Sequence, residues 1–376
     1  MAHTYTPGLK VVERTVIRKR RILPLKGEVL VERGVAVRAE DVVAKTDLPG
    51  KVYPINVANI LGIVPEDIEH FMLVKQGGVV EKDKPIAMTK GFWGFFKSSC
   101  ASPAEGTIEN VSKVTGQVLV RGEPLPVSVD AYIDGIVVEV IENEGVVVET
   151  KGAFVQGIFG VGGEACGVIR MVCSSPKEIM DRGSVPDDCK GQILVGGSLV
   201  TSDATRRAIE LGAVGIVVGG LADQDLRDFL GYDIGVAITG SEELGVTLVI
   251  TEGFGEINMA SSTYEILKSN EGRRASINGA TQIRAGVLRP EVVIPLDASE
   301  VKQQSETLQK PSVGLQVGSE IRAIREPYFG RLGRVIALPP ELRDLETESR
   351  VRVLEVEFDD GSKTVLPRAN VEMIEH

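Results

Sequence analysis

The sequence predicts a multidomain protein in which β-rich modules are combined with a parallel α/β domain. Three observations support this fold class. Val-rich segments alternate with polar residues between glycine turns over residues 22–190. Continuous apolar segments alternate with helical segments over residues 191–290, and Val-rich strands return over residues 317–376. The 376 residues, 43% of them hydrophobic, are enough to form several hydrophobic cores.

Composition and charge narrow the classes of function. The 42 Lys and Arg are outnumbered by 53 Asp and Glu, for a net charge of -11. Binding of a polyanion along the whole chain is therefore disfavoured, because contacts to phosphate depend on Lys and Arg. No apolar run approaches the ~18 residues of a membrane span. The four Cys and three His are too scattered for a structural zinc site. We expect a cytoplasmic protein of a reducing compartment, without a cofactor and without a membrane partner.

Residues 1–21 form a basic N-terminal arm, in which six Lys and Arg accompany one acid, Glu13. The preferred interpretation is a solvated arm that docks on the acidic remainder of the chain. Two alternatives stay open: an edge strand formed by the stretch VVERTVIRKRRIL, and an arm that binds nucleic acid or a protein partner.

Residues 22–190 form a β-rich region with an internal repeat. The segment LVERGVAVRAEDVVA (30–44) aligns without a gap with LVKQGGVVEKDKPIA (73–87). The matched pairs are Val31 and Val74, Gly34 and Gly77, Val37 and Val80, and Ala44 and Ala87. Glycine at these positions suits turns with positive φ. Because one hairpin cannot bury its apolar face alone, we expect the two copies to pack together.

The run VVEKDKPIA…SPAEGTIENVSKVTGQVLVRGEPL resembles the biotinyl/lipoyl-type barrel-sandwich hybrid, and the resemblance covers about residues 22–125. That family carries its modified lysine on a tight hairpin, usually between two methionines. The resemblance singles out Lys90, in the stretch AMTKG, as the modification candidate. No methionine follows Lys90, and extra residues precede the next corner, so an unmodified structural barrel is the preferred interpretation.

The inserted stretch GFWGFF (91–96) concentrates large aromatic side chains, namely Phe92, Trp93, Phe95 and Phe96. One interpretation is an exposed anchor for a partner or a second copy, because aromatic residues dominate interface energetics. The other is a loop that folds into its own core.

Residues 191–290 predict three buried strands, at 192–197, 214–220 and 245–255, each followed by a helix. Ligands of such sheets bind at the carboxyl ends of the strands. The side chains predicted at this rim are Ser202, Asp203, Asp223, Thr251 and Glu252. Three carboxylates there would suit Mg²⁺ or acid/base chemistry. The preferred interpretation is that the two Asp complement helix dipoles and Glu252 is a solvated loop residue. No catalytic group stands out, which favours a protein that is not an enzyme.

Residues 291–316 are polar and predict a linker, and residues 317–376 predict a small C-terminal barrel. The segment VGSEIRAIREPYFGRLGRVIAL resembles the KOW motif of NusG-type SH3-like barrels. The matching residues are Gly318, Ile321, Ile324, Pro327, Phe329, Gly330, Gly333 and Val335. The resemblance implies an RNA-, ribosome- or polymerase-binding module. The candidate interaction residues are Arg322, Arg325, Tyr328, Phe329, Arg331 and Arg334.

Three functions follow. The first is a non-enzymatic scaffold that self-associates or docks to a larger complex, with a protein partner or a second copy as its ligand. The second is a transcription- or translation-associated factor that binds RNA or polymerase through the KOW barrel. The third is an enzyme or small-molecule sensor that uses the α/β domain. The absence of a convincing catalytic group places the scaffold first.

Overall fold

A computed structural model describes residues 9–89, 98–230, 245–281, 288–296, 315–323, 327–328, 331–339, 342–344 and 350–375. Strands make up 49% of the structure and helices 14%, and the strands form large mixed sheets. The predicted β-rich character is therefore confirmed at this level. None of the helices in the described ranges is long and apolar enough to cross a membrane.

The elements of the first part follow one another in chain order. They are β1 (Leu9–Ile22), β2 (Glu28–Val29), β3 (Ala36–Val37), β4 (Val42–Leu48), β5 (Val52–Ile55), α1 (Val57–Leu61), a 3-10 turn (Pro65–Asp67), α2 (Ile68–Phe71), β6 (Val79–Val80), β7 (Pro85–Met88), β8 (Ser99–Ala101), β9 (Gly106–Val111), β10 (Val118–Gly122), β11 (Leu125–Asp130), β12 (Gly135–Ile141) and β13 (Gly145–Gln156).

The elements of the α/β part and of the C-terminal part follow. The α/β elements are β14 (Phe159–Val161), β15 (Glu164–Met171), β16 (Ile179–Met180), a 3-10 turn (Arg182–Ser184), β17 (Gln192–Val195), β18 (Leu199–Val200), α3 (Ser202–Glu210), β19 (Gly215–Leu221), α4 (Asp223–Leu230), β20 (Thr247–Phe254), α5 (Ser261–Ser269), β21 (Arg274–Asn278) and β22 (Glu291–Pro295). The C-terminal elements are β23 (Glu320–Ala323), β24 (Leu332–Ala337), β25 (Leu342–Asp344), β26 (Arg350–Phe358), β27 (Lys363–Pro367), a 3-10 turn (Arg368–Asn370) and β28 (Val371–Glu375).

Strand β1 contains most of the basic N-terminal arm. It pairs antiparallel with β13 from Val11 to Ile22, and its first two residues pair in parallel with β28. The arm is thus a strand with neighbours rather than a solvated segment. The physical reason is that Val11 and Ile17 are buried, so the arm contributes apolar surface to the protein interior.

The internal repeat corresponds to two structurally equivalent units. The first unit consists of residues 30–48 and 125–141, and the second unit consists of residues 73–88 and 99–111. In the first unit β3 pairs with β12 and β4 with β11; in the second, β6 pairs with β9 and β7 with β8. In the sequence, the second unit is therefore inserted between the two halves of the first.

The two units also agree in register. The pairs Val37–Gly135 and Ala44–Val129 of the first unit correspond to Val80–Gly106 and Ala87–Cys100 of the second. Both turn glycines are in the left-handed region, with φ of 90° at Gly34 and 81° at Gly77. Their N–H groups donate equivalent hydrogen bonds, to Val137 O and to Ile108 O, each 2.7 Å long. The agreement covers both halves of each unit.

Residues 51–122 form a module with its own core, here called the satellite module. The core is completed by α1, α2, β5 and β10, and it includes Ile68, Ile86, Ile108 and Val118. The two connecting segments approach closely, because a Cβ atom at Gly50 would lie 2.0 Å from the carbonyl oxygen of Gly122. Only glycine permits this neck between the satellite module and the first unit.

The α/β part has a parallel sheet in the order β15–β17–β19–β20, extended by antiparallel strands β14 and β21. Helices α3 and α4 cover one face and α5 covers the other, as the residues of the two cores show. The strands and helices lie at the predicted positions. The predicted linker, 291–316, instead begins with a buried strand, because Val292, Val293 and Ile294 are apolar and pair β22 with β13 and β21.

The C-terminal part is a sheet in the order β28–β23–β24–β26–β27, with β25 beside β26. A 3-10 turn joins β27 to β28. Within the described residues these pairings form an open sheet rather than a closed barrel.

Candidate functional site

The predicted ligand rim of the α/β part is not assembled as one site. Asp203 lies in the first turn of α3, with its carboxylate 3.5 Å from Arg206. Asp223 lies in the first turn of α4, 2.7 Å from Arg227. Both carboxylates occupy positions that favour negative charge near a helix N-terminus. Residue Ser202 opens α3, which is capped by the hydroxyl of the preceding residue.

The segment around Gly255 and Ile257 packs against the carboxyl end of β19, where a ligand of such a sheet would bind. A Cβ atom on Gly219 would lie 2.2 Å from Ile257 O, and one on Gly220 would lie 2.0 Å from Gly255 O. Backbone therefore packs against backbone where ligands of such sheets usually bind. Glycine at these positions reflects that close approach, and the packing leaves no gap between these segments.

Thr251 and Glu252 lie inside β20, whereas the sequence predicted them in a loop. The Thr251 hydroxyl donates to Val218 O at 3.3 Å. Glu252 is 1% exposed, and its Oε1 accepts a hydrogen bond of 2.9 Å from Ala260 N. The prediction of a solvated loop acid fails at Glu252 because a charged partner accompanies it into the interior.

That partner is Arg322 of β23, one of the residues predicted for RNA or protein binding. Its side chain is 3% exposed, and its Nη2 lies 2.7 Å from Glu252 Oε2. Its Nη1 donates to Glu252 O at 2.9 Å. Neither Glu252 Oε2 nor Arg322 Nε has a well-aligned hydrogen bond. The pair is therefore a buried electrostatic joint between the α/β part and the C-terminal sheet, and Arg322 is unavailable at the surface.

The other members of the predicted Arg/aromatic patch differ in their surroundings. Arg331 stacks over the Phe358 ring at 4.0 Å and forms an ion pair with Asp360. Tyr328 stacks on the same ring, with centroids 5.3 Å apart. Arg334 is 64% exposed and lies 3.1 Å from Glu320. Arg325 and Phe329 lie outside the described residues. The described surface of the patch thus consists of Arg331 and Arg334, each beside an acid, and the partly buried Tyr328.

The basic strand β1 directs its charges to acids of other elements. Arg21 forms a bidentate pair with Glu164 at 2.6 and 2.7 Å. Arg18 lies 2.6 Å from Glu149 of β13. These contacts agree with docking on the acidic remainder of the chain. The sequence contained no local signal for them, because the partners are more than a hundred residues away.

The aromatic insert and the modification candidate lie outside the described residues. They are Lys90, Phe92, Trp93, Phe95 and Phe96. The two flanking residues are described, and Thr89 N donates to Ser98 O at 2.9 Å. Ser98 N donates in turn to the Thr89 hydroxyl at 2.9 Å. The hairpin of β7 and β8 is therefore closed immediately before the insert.

The sequence did not reveal the apolar surface of the satellite module. Val114 is 87% exposed in the turn between β9 and β10, and Val64 is 58% exposed beside Pro65. The same turn packs on the module near α1, because a Cβ at Gly116 would lie 2.2 Å from the Ala58 Cβ and 3.4 Å from Pro65. Val64 and Val114 thus lie at one end of the module, which we call the valine end.

Titratable clusters are sparse in the described ranges. No group of three or more His, Cys, Asp or Glu there could hold a metal ion. Burial raises the pKa of the Cys166 and Cys173 thiols to about 11, so both stay protonated at neutral pH. Protonated thiols are poor nucleophiles and poor metal ligands.

Comparisons of the sequence with protein families and with curated proteins do not identify a family for this chain. A scan against protein-family models matches none of them, and a search of curated proteins finds no similar sequence.

Proposed function

We propose that the protein is a non-enzymatic scaffold, which self-associates or docks to a larger complex through exposed β-rich surfaces. The observation that supports this most strongly is that buried charged side chains form ion pairs between different parts of the chain. The residues predicted for ligand chemistry hold the modules together instead, above all Glu252 and Arg322. Arg289 and Glu372 form a second pair between the α/β part and the C-terminal sheet. Such joints fix the relative positions of modules, which is what a scaffold requires.

The satellite module is the proposed docking element. Its helices and strands build their own core, and the neck at Gly50 and Gly122 connects it to the first unit. Its valine end presents apolar side chains to solvent. Contiguous exposed apolar patches are typical of interaction surfaces. The aromatic insert after Thr89 belongs to the same module and remains a second proposed anchor.

The nested units support a barrel-sandwich-like identity for this region. Their shared register fits the family resemblance, in which such modules occur unmodified inside large assemblies. The same resemblance leaves Lys90 as a proposed modification site. The C-terminal strand order, with a 3-10 turn before the last strand, fits an SH3-like module of KOW type.

Sedimentation velocity over a range of concentrations tests the self-associating form. We expect the wild type to form oligomers that weaken in Val64→Asp/Val114→Asp. The matched control is Val317→Asp, because Val317 is 63% exposed but lies in the C-terminal part. A monomer at every concentration, together with elution of the native protein at its own 40.3 kDa from a cell extract, would contradict the proposal.

The second candidate is a factor that binds RNA through the C-terminal module, favoured by the stacked Tyr328, Phe358 and Arg331. It predicts RNA binding that weakens with salt and is lost in Arg331→Ala/Arg334→Ala. Binding that these substitutions leave unchanged would exclude this site.

A further inference from the structure

We propose that the satellite module turns about its neck as one unit, so that its valine end reaches partners over a range of directions. The neck consists of residues 49–51 and 122–124, which connect β4 to β5 and β10 to β11. The turning is inferred from the neck and from the packing on either side of it. Only its use in docking rests on the proposed function.

The neck interrupts a two-stranded ribbon. In the first unit the antiparallel pairing of β4 with β11 ends at Leu48 and Leu125. In the satellite module the pairing of the same two chain segments resumes at Val52 and Arg121, in β5 and β10. The regular ladder is therefore broken on both strands at the same point. A continuous ribbon would fix the direction of the module, whereas a break in both strands allows that direction to change.

The residues of the neck explain why the ladder stops there. Each strand contributes a proline, Pro49 or Pro124, and proline has no N–H group to donate to a ladder. Each strand also contributes a glycine, Gly50 or Gly122, and glycine accepts a wide range of φ and ψ. Hinges are short segments of this kind, in which a few residues absorb the change in backbone dihedral angles.

A close contact between the two strands of the neck provides a pivot. Gly122 N donates to Lys51 O at 2.9 Å, and Arg121 Nη1 donates to Gly50 O at 3.1 Å. The neck residues other than the two glycines are exposed. Few apolar contacts therefore oppose a rotation about this point, which is the condition for local mobility.

The packing on either side of the neck is separate. The core of the satellite module and the core of the first unit share no residue. The ion pairs of the module join its own residues, Lys113 with Glu69 and Arg121 with Glu109. Among the described residues, the hydrogen bonds that connect the module to the first unit lie in the neck. Modules that lack a large apolar interface are expected to move relative to each other.

The valine end lies away from the pivot. The ladder of β5 and β10 begins beside the neck at Val52 and extends to Ile55, which is a distance of about 10 Å at the usual rise of a strand. Helix α1 and the turn that carries Val114 lie beyond Ile55. A rotation at the neck therefore moves the valine end through a larger arc than it moves the residues beside the neck.

Double electron–electron resonance on the full chain tests the proposal, because it measures the distribution of distances between two spin labels. Glu66→Cys/Glu142→Cys places one label near the valine end and the other in the turn between β12 and β13. Glu66→Cys/Glu105→Cys and Glu32→Cys/Glu142→Cys are references with both labels on one side of the neck. All these positions are exposed. Dilution with unlabelled protein removes distances between copies. We expect the distribution across the neck to be wider than both references.

The native cysteines should not take up the label. Cys100, Cys173 and Cys189 are buried and Cys166 is half-buried. Burial raises the pKa of each of these thiols above its usual value. The thiolate is the reactive form, so the introduced and exposed cysteines react first at neutral pH.

Two substitutions in the neck should change the width in opposite directions. A Cβ atom at Gly122 would lie no closer than 3.4 Å to its neighbours, so Gly122→Ala should fold, but it loses the backbone freedom of glycine and should narrow the distribution. Pro124→Gly should widen it, because φ is no longer fixed. The matched control is Gly163→Ala, between β14 and β15, where a Cβ atom meets open space and the width should not change.

The proposal is overturned if the distribution across the neck is as narrow as the two references. It is equally overturned if Gly122→Ala and Pro124→Gly both leave the width at the wild-type value. Either result would leave self-association, which sedimentation velocity measures, unaffected. Conversely, a protein that stays monomeric and captures no partner would contradict the proposed function and leave the width across the neck unchanged.

Discussion

The first and second units share a strand register but complete their cores differently. The core of the first unit contains Ile17 of β1 together with Val146 and Val148 of β13, which lie outside the unit. The core of the second unit is completed within the satellite module, by residues such as Val57 of α1 and Val118 of β10. One arrangement of hairpins can therefore serve as part of a larger body or as the basis of a separate module. What differs is where the covering apolar residues come from.

The largest expected difference between the two units is whether each one folds when it is expressed as a separate fragment. Residues 50–123, expressed alone, should fold, because their core is complete, although a domain of this size is only marginally stable. A fragment that joins 23–49 to 124–141 through a Gly-Ser linker should stay unfolded, because it lacks β1 and β13. Amide exchange and circular dichroism of both fragments check this. If the second fragment folded, or if the first did not fold, the two units would not differ in where their cores are completed.

Next in size is the buried joint. Glu252→Gln should lower the free energy of unfolding of the chain outside the satellite module, here called the body, by about 3–5 kcal/mol, since it leaves Arg322 charged and buried without its partner. The satellite module should be unaffected. Glu252→Met/Arg322→Met should restore much of the loss, because apolar residues often replace a buried pair at little cost. Hydrogen exchange measured by mass spectrometry distinguishes the two regions. Equal loss of protection in the satellite module would show that it is not independent.

A smaller effect compares equivalent core residues. Val37 and Val80 are 6% and 3% exposed at matching positions. Truncating either to Ala should cost about 2 kcal/mol, from lost burial and the cavity left behind. Val80→Ala should reduce protection from exchange only in residues 51–122, and Val37→Ala only outside them. If either substitution reduced protection throughout the chain, the units would unfold as one.

The smallest effect concerns pH. The side-chain hydrogen bond from Arg274 lowers the pKa of Glu40 below its usual 4.5. A lowered pKa contributes stability above the unfolded value, and this stability is lost as the pH falls through the folded value. The pair is about half exposed, so the contribution should be at most about 0.5 kcal/mol. Glu40→Gln should flatten the loss of body stability between neutral and acid pH, and it should leave the satellite module unchanged. Urea titrations in which Glu40→Gln and the wild type lose the same stability between neutral and acid pH would contradict this.

Local signals explain which parts of the fold were predictable. The strands and helices of the α/β part have apolar runs and glycine ends in the sequence itself, and they lie as predicted. The first half of the repeat was visible because Val, Gly and Ala recur at fixed spacing. The second halves, DAYIDGIVVEV and ASPAEGTIENV, have few identities, so only pairing in three dimensions reveals their equivalence.

The candidate sites were less predictable because they depend on distant partners. Nothing near Glu252 indicates that a residue seventy positions later will bury it. Arg322 looked like part of a basic patch for the same reason. The acids that pair with Arg18 and Arg21 of β1 lie in β13 and β15, which are far from β1 in the chain. A single sequence shows the charge of each residue but not the opposing group that it will meet.

The parallel pairing of β1 with β28 has a consequence for the order of synthesis. Leu9 and Lys10 pair with Ile374 and Glu375, so this neighbour of β1 is synthesised long after β1 itself. Until β28 is synthesised, the backbone N–H and C=O groups of β1 that pair with it are unpaired, and other strands or a chaperone can bind them. Closing a loop of this length is slow, so the satellite module should be native on the ribosome while the body is still incomplete.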